Sequence, residues 1–207
     1  MSRKTDNTAT ATQGVRNSRG FPRILITGVP SVGKTSVALG IRQTIPSVGV
    51  CEFGRLMAMI GKQRNILEDY RDLPDLELND RSNLQIAAAA HVAKLDQAVA
   101  IAAHLVVRAP EGYVDGFPEP ALSCLQLTGI MMITAEPRQI HSRRSRRAMD
   151  LVCEDVAVIQ SHQERVWQMA ARVAGSAGIP FDHLINHDGE LPTIIAKAVH
   201  LWQNWDR

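Results

Sequence analysis

The stretch ILITGVPSVGKTS, residues 24–36, constrains this chain more than any other. Four apolar or β-branched residues, Ile24 to Thr27, run straight into Gly28. Val29, Pro30, Ser31 and Val32 then lead to Gly33, Lys34, Thr35 and Ser36. The spacing is G-x-x-x-x-G-K-T, with an extended run before it and a helical one after it, which is the context in which the pattern cradles phosphate. The two glycines let the backbone wrap around an anion with its N–H groups pointing inward, and the following helix presents its positive end to the same anion. Lys34 is expected to reach the β- and γ-phosphates, and the Thr35 hydroxyl to bind Mg²⁺. Residues 28–36 are therefore the expected binding site for ATP or a similar nucleoside triphosphate.

What can be built around that loop is bounded by composition. The chain has 207 residues, 45% of them apolar, enough for one α/β domain with a full core. A net charge of +2 does not by itself call for nucleic acid. Cys51, Cys124 and Cys153 are odd in number and far apart, which fits small core residues in a reducing compartment. No apolar run approaches the roughly 20 residues needed to span a bilayer. Residues 1–20, rich in Thr, Ser, Asn and Gly, read as a disordered tail without an export signal, so a cytoplasmic protein is expected.

Beyond residue 20 the pattern alternates strand and helix. Strands are expected at ILIT, SVGVCEF, VAIAAH, GIMMITA and FDHLINH. Helices are expected over about 33–44, from Gly54, over about 78–98, from Ala121, from Pro137, over about 155–176 and over about 192–202. RAPEGYVDGFPEP reads as a loop. Such alternation implies an α/β fold: a three-layer α/β/α sandwich of the P-loop NTPase type around a five-stranded parallel sheet, with ligands at the carboxyl ends of the strands. Residues 21–207 are expected to form that single domain, carrying small acceptor-binding and lid insertions.

Several stretches together resemble the archaeal-type adenylate kinases, a branch of the P-loop nucleoside monophosphate kinases. TGVPSVGKTS is similar to that family's phosphate loop. Residues 99–145 run without a gap against its strand, Thr-Pro-x-Gly-Tyr-x-x-Gly-x-Pro loop, strand and Arg-Arg helix, with PEGYVDGFP carrying most of the weight. IQSHQERV resembles its Glu-x-His-Gln segment, and INHDGELPTIIAKAV its Asn-Arg-Asp-Gly ending. The resemblance implies transfer of the γ-phosphoryl group of ATP to a nucleoside monophosphate, AMP, giving two ADP with Mg²⁺. It also implies oligomers of the chain.

The same resemblance assigns roles. Lys34, Arg143 and Arg147 would be catalytic, with Arg143 and Arg147 four apart on one helix face. Their planar guanidinium groups suit phosphate oxygens. Gly54, Arg71 and His104 would serve the acceptor, and Thr35 the metal. For Arg71 the competing reading is an exposed loop charge, for His104 a histidine satisfied at a strand end, and for His162 and Gln163 packing. Trp202 and Trp205 read as packing anchors.

Two departures stand out. Where the family's third strand ends Asp-Thr-His, this chain has Ala102, Ala103 and His104, so the aspartate that holds Mg²⁺ through water is gone. The lid is also compressed to RRSRRAMD. Both favour an alternative, a degenerate kinase that binds ATP and AMP as a sensor or scaffold. A third reading is an ATP-dependent protein linked to RNA through the arginine-rich helix and basic tail. It is opposed by an aromatic content of only 4%, which leaves few rings for base stacking.

Overall fold

A computed structural model describes residues 20–109, 112–146 and 154–205. In chain order the elements are β1 (Arg23–Thr27), α1 (Lys34–Thr44), β2 (Gly49–Glu52), α2 (Phe53–Gln63), a short 3-10 helix (Tyr70–Asp75), α3 (Leu78–Ala93), β3 (Val99–Ala102), β4 (Val106–Ala109) and β5 (Gly112–Asp115). They continue with α4 (Glu119–Leu125), β6 (Gly129–Thr134), α5 (Pro137–Arg146), α6 (Val156–Ala177), β7 (Phe181–Ile185) and α7 (Leu191–Trp205).

The five-stranded sheet has the order β2-β3-β1-β6-β7, and every pairing in it is parallel. A parallel strand covered on both faces has no wet side, so its sequence runs apolar without alternation. This is how β1 (RILIT), β3 (VAIA) and β6 (GIMMIT) read, and nearly all of their residues are buried. α1 packs on α7, α3 on both α2 and α4, and α5 on α6. The alanines at 87–90 keep α3 slim where those neighbours approach.

β1 lies at the centre, with β3 on one side and β6 on the other. The chain leaves β1 in one direction and later returns on the other side, which opens a crevice at the carboxyl end of β1. The phosphate loop, residues 28–33, fills that position.

One segment departs from the expectation. Residues 106–109 and 112–115 pair as an antiparallel hairpin, Val106 with Asp115 and Arg108 with Tyr113, where a loop was expected from Arg108 onward. Val106, Val107, Tyr113 and Val114 carry β propensity, but the Pro-Glu-Gly between them masks the signal. The hairpin is pinned at its base. The Gly116 N–H donates to the Leu105 carbonyl at 2.7 Å, and the Gly116 carbonyl accepts from the Gln85 amide at 2.6 Å. A Cβ on Gly116 would lie 2.0 Å from the His104 carbonyl oxygen, so only glycine fits there. The helix expected over 78–98 ends at Ala93, because the chain must turn before Val99 can enter the sheet beside Arg23.

The two C-terminal tryptophans anchor α7 to the sheet. Trp202 is buried, and the Trp205 ring covers Gly129 so closely that a Cβ there would meet it at 2.4 Å. Removing a buried ring leaves a cavity as well as losing transfer free energy. Trp202→Ala should therefore lower stability by about 3–5 kcal/mol, seen as a lower urea midpoint at unchanged slope.

Candidate active site

At the end of β1 the backbone turns on Gly28, whose φ is 147°. A Cβ there would lie 2.2 Å from the Ile133 carbonyl oxygen, so glycine lets the loop close against β6. Gly33, at φ 100°, has the same property toward the Asn186 side chain, 2.6 Å from where a Cβ would be. Asn186 in turn donates to the Val32 carbonyl at 2.7 Å, tying the loop to the segment after β7.

Lys34 opens α1 with its side chain folded back into the loop. Its Nζ donates to the carbonyls of Gly28 at 2.9 Å and Val29 at 3.0 Å, and the residue is only 9% exposed. Burial first, and the nearby Arg144 guanidinium second, lower its pKa from 10.5 to about 7. The first turn of α1 contains no acidic residue of its own, so the positive end of the helix adds to this field. Lysine, helix end and guanidinium converge where an anion would relieve them all.

The arginine helix divides differently from the sequence expectation. Arg143 pairs with Asp188 at 2.7 Å and donates to the carbonyl of Asn186, the residue tied to the loop, at 2.8 Å. Arg147 lies outside the described residues. The neighbouring Arg144 is the one that touches the loop, donating to the Pro30 carbonyl at 3.2 Å while only 6% exposed. Its second partner is the Glu154 carboxylate, which also takes a 2.7 Å ion pair from Arg108 on the hairpin. Burial opposes ionisation of Glu154, but the hydrogen bonds from Arg108 and Arg144 outweigh it and hold its pKa below the usual range. A signal for Arg144 was present in the sequence: it follows Ile140 by four residues, hence shares the core-facing side of α5.

His104 lies at the phosphate loop. Burial first, then the Lys34 ammonium and His162, hold its imidazole well below the usual histidine pKa, with a Gly28 backbone hydrogen bond working the other way. It is thus a neutral group beside the lysine. Gly54 and Arg71 both adjoin Tyr70, Gly54 by packing at the start of α2 and Arg71 along the chain. Gly54 abuts the Tyr70 ring, 3.2 Å from where its Cβ would be, and Arg71 follows in the same 3-10 helix. Arg71 is largely exposed and pairs with Asp69 at 2.9 Å. Between this turn and α2 lies a cleft of about 310 Å³ whose lining includes Arg55, Lys62 and Tyr70.

His162 and Gln163 are structural ties. His162 Nε2 donates to the Val106 carbonyl at 3.2 Å, fixing the hairpin to α6. Gln163 clamps Ala135 from both sides, accepting from its N–H at 3.1 Å and donating to its carbonyl at 3.0 Å.

The donors that could hold Mg²⁺ are hard oxygens. Thr35 Oγ1 lies 3.4 Å from Glu52 Oε2, and a hydroxyl beside a carboxylate at the edge of a phosphate loop fits an ion that keeps several waters and binds few protein groups.

Sheet order, loop conformation and buried lysine define a P-loop nucleotide-binding domain. A family profile described as an AAA domain matches residues 27–159. The adenylate kinase of Methanoculleus marisnigri is 32% identical over 151 residues, 69% of this chain and 78% of the relative. That of Thermoplasma volcanium is 31% identical over 171 residues, 81% and 92% of the two chains. The chain belongs to the archaeal adenylate kinase family. A shikimate kinase from Bacteroides thetaiotaomicron shares the fold at a TM-score of 0.54 and 10% identity, covering 88% of this chain and 98% of that one. Among the described residues no helix is long and apolar enough to cross a membrane.

The lysine pKa has a measurable consequence. Between about pH 7 and 10.5 the unfolded chain carries a proton on Lys34 that the nucleotide-free native state lacks. More protons bound in the unfolded state mean that stability rises with pH. Urea midpoints measured over that window should rise more steeply for the wild type than for Lys34→Met, which has no such proton.

Proposed function

We propose that the chain is an adenylate kinase-like phosphotransferase that moves the γ-phosphoryl group of ATP to AMP, giving two ADP. The observation that carries this reading is the buried Lys34 ammonium, held by loop carbonyls beside Arg144, in a chain whose relatives are adenylate kinases. A triphosphate entering the loop gives Lys34, which is bonded only to loop carbonyls, a negative partner, and gives Arg144 a second one beside Glu154. Transferring Lys34 Nζ from the two carbonyls to phosphate oxygens costs little reorganisation, because the group is already desolvated.

The acceptor is a phosphate oxygen, ionised at neutral pH, so the reaction needs positioning and charge stabilisation rather than a general base. Residues 28–36 hold the triphosphate. Arg144 stabilises charge on the transferring group, while Glu154 fixes its fork and Arg143 braces the segment carrying Asn186. His104, neutral beside Lys34, donates no proton at physiological pH and serves as a hydrogen-bonding wall. Gly54 and Arg71, with the cleft lined by Arg55 and Lys62, receive the monophosphate. Thr35 would help hold Mg²⁺, which would supply charge neutralisation to the phosphates. The acceptor-binding turn and the compressed lid RRSRRAMD, of which the residues after Arg146 lie outside the described ones, are the small insertions of one domain spanning residues 21–207.

A coupled assay for ADP from ATP, Mg²⁺ and each of AMP, CMP, UMP and GMP tests the reading. AMP should be the preferred acceptor, and Lys34→Ala should abolish turnover. Arg144→Lys keeps the charge but loses the planar fork, and should lower kcat by about 100-fold with little change in the KM for AMP. No ADP from any acceptor would overturn the reading in favour of a nucleotide sensor, the reading that Ala102 supports.

A further inference from the structure

The end of β3 carries Ala102, which has no ligand atom for a metal. The sheet register shows what stands at the same level. β2 pairs in parallel with β3, and Glu52 is directly opposite Ala102. Glu52 is also the N-terminal flanking residue of α2, a position where a carboxylate commonly accepts from the helix N–H groups. It makes no such cap. Its Oε2 lies instead 3.4 Å from Thr35 Oγ1, and among the described residues it is the one carboxylate hydrogen-bonded to Lys34 or Thr35. Arg55, from an exposed position, pairs with the same Oε2 at 3.4 Å, so a metal ion beside Thr35 would compete with that surface ion pair, which is worth little. Asp115, the other described acidic residue near the end of the hairpin, is turned to Arg172 on α6 at 3.5 Å.

We propose that Glu52 supplies, from the neighbouring strand, the carboxylate that orders Mg²⁺ beside Thr35, in place of the acid absent at Ala102. The sheet makes this exchange geometrically natural. Strands paired in register end at one level, so an oxygen lost from one strand end can be replaced from the next by a longer side chain. Neighbouring strand ends stand about 4.8 Å apart, and the Glu52 side chain already brings its Oε2 to 3.4 Å from Thr35 Oγ1. Mg²⁺ suits such an arrangement because it keeps much of its water and takes only one or two carboxylates.

This inference rests on the phosphotransferase reading, and the test separates the two. ATP binding to the full chain is measured by calorimetry with excess Mg²⁺ and again with EDTA, for wild type, Glu52→Gln and Glu52→Gln/Ala102→Asp. For the wild type, Mg²⁺ should tighten ATP binding. Glu52→Gln should lose about tenfold or more of that tightening while binding metal-free ATP at least as well as wild type, because a negative charge beside the triphosphate is gone. A purely structural role for Glu52 would weaken both. The double variant should recover the metal dependence, which also shows that the fold is intact. A Glu52→Gln protein that keeps the full Mg²⁺ effect overturns the assignment and leaves the kinase reading standing if the wild type still makes ADP from AMP. A wild type that binds no ATP overturns both.

Discussion

A lysine ammonium cannot be buried without partners, and the way this chain provides them governs the site. Among the described residues no carboxylate is bonded to Lys34. Its hydrogen bonds go to two carbonyls of the loop that precedes it, and those carbonyls face inward only because Gly28 and Gly33 take backbone conformations that a side chain would block. The surroundings are therefore positive and poorly solvated. Burial and a second cation have already lowered the lysine pKa to about 7, so part of the cost of preparing the site for an anion is met during folding. Stability elsewhere has to cover that cost, and the fully buried strands β1, β3 and β6 directly beneath the loop are where it comes from.

Around this centre the supports are polar and converge from distant parts of the sequence. Asn186 reaches the loop from the far strand, Arg144 from α5, and Glu154 holds Arg144 and Arg108 together, so that helix, hairpin and loop share one carboxylate. Gln163 fixes the chain as it leaves β6, and His162 fixes the hairpin. A network of this kind couples its members: shifting the hairpin moves Arg108, which loosens Glu154 and thereby the guanidinium facing the phosphate. It also accounts for His-Gln being adjacent on α6, since neighbouring residues on a helix diverge by about 100° and can hold two different elements.

Much of the fold was legible because its signals are local. An apolar run before a glycine, G-K-T at the right spacing and alternating strand and helix periods each need only a short window, and together they gave the five strands and the loop. The hairpin was lost for a local reason as well, its turn residues outweighing two short strands. The site was less legible because it depends on side-chain direction. Arg143 and Arg144 differ by one residue and about 100° around the helix axis, enough to send one to Asp188 and Asn186 and the other to Pro30 and Glu154. The spacing of Arg143 and Arg147 and the family pattern drew attention to the first, and the place of Ile140 one turn earlier bears on the second. Asn186 stood out only through its place in INHDG at the end of the last strand, and Glu154 gave no signal, since its bonds to Arg144 and Arg108 depend on side-chain direction.

The same distinction bears on how a site of this kind tolerates substitution. A comparison of aligned positions asks whether Ala102 carries an oxygen and stops there. The sheet asks a different question, whether any oxygen stands at the level where β1, β3 and β2 all end. Parallel pairing makes these strand ends neighbours in space although Glu52 and Ala102 are 50 residues apart in the chain, a separation read directly from their numbers. Loss at one end is then a chemical deficit of the layer rather than of the position, and a longer acid one strand away satisfies the layer. By the same reasoning the compressed lid need not remove the guanidinium groups from the phosphate, because Arg144 is held from the helix side by Glu154 and not by the missing segment.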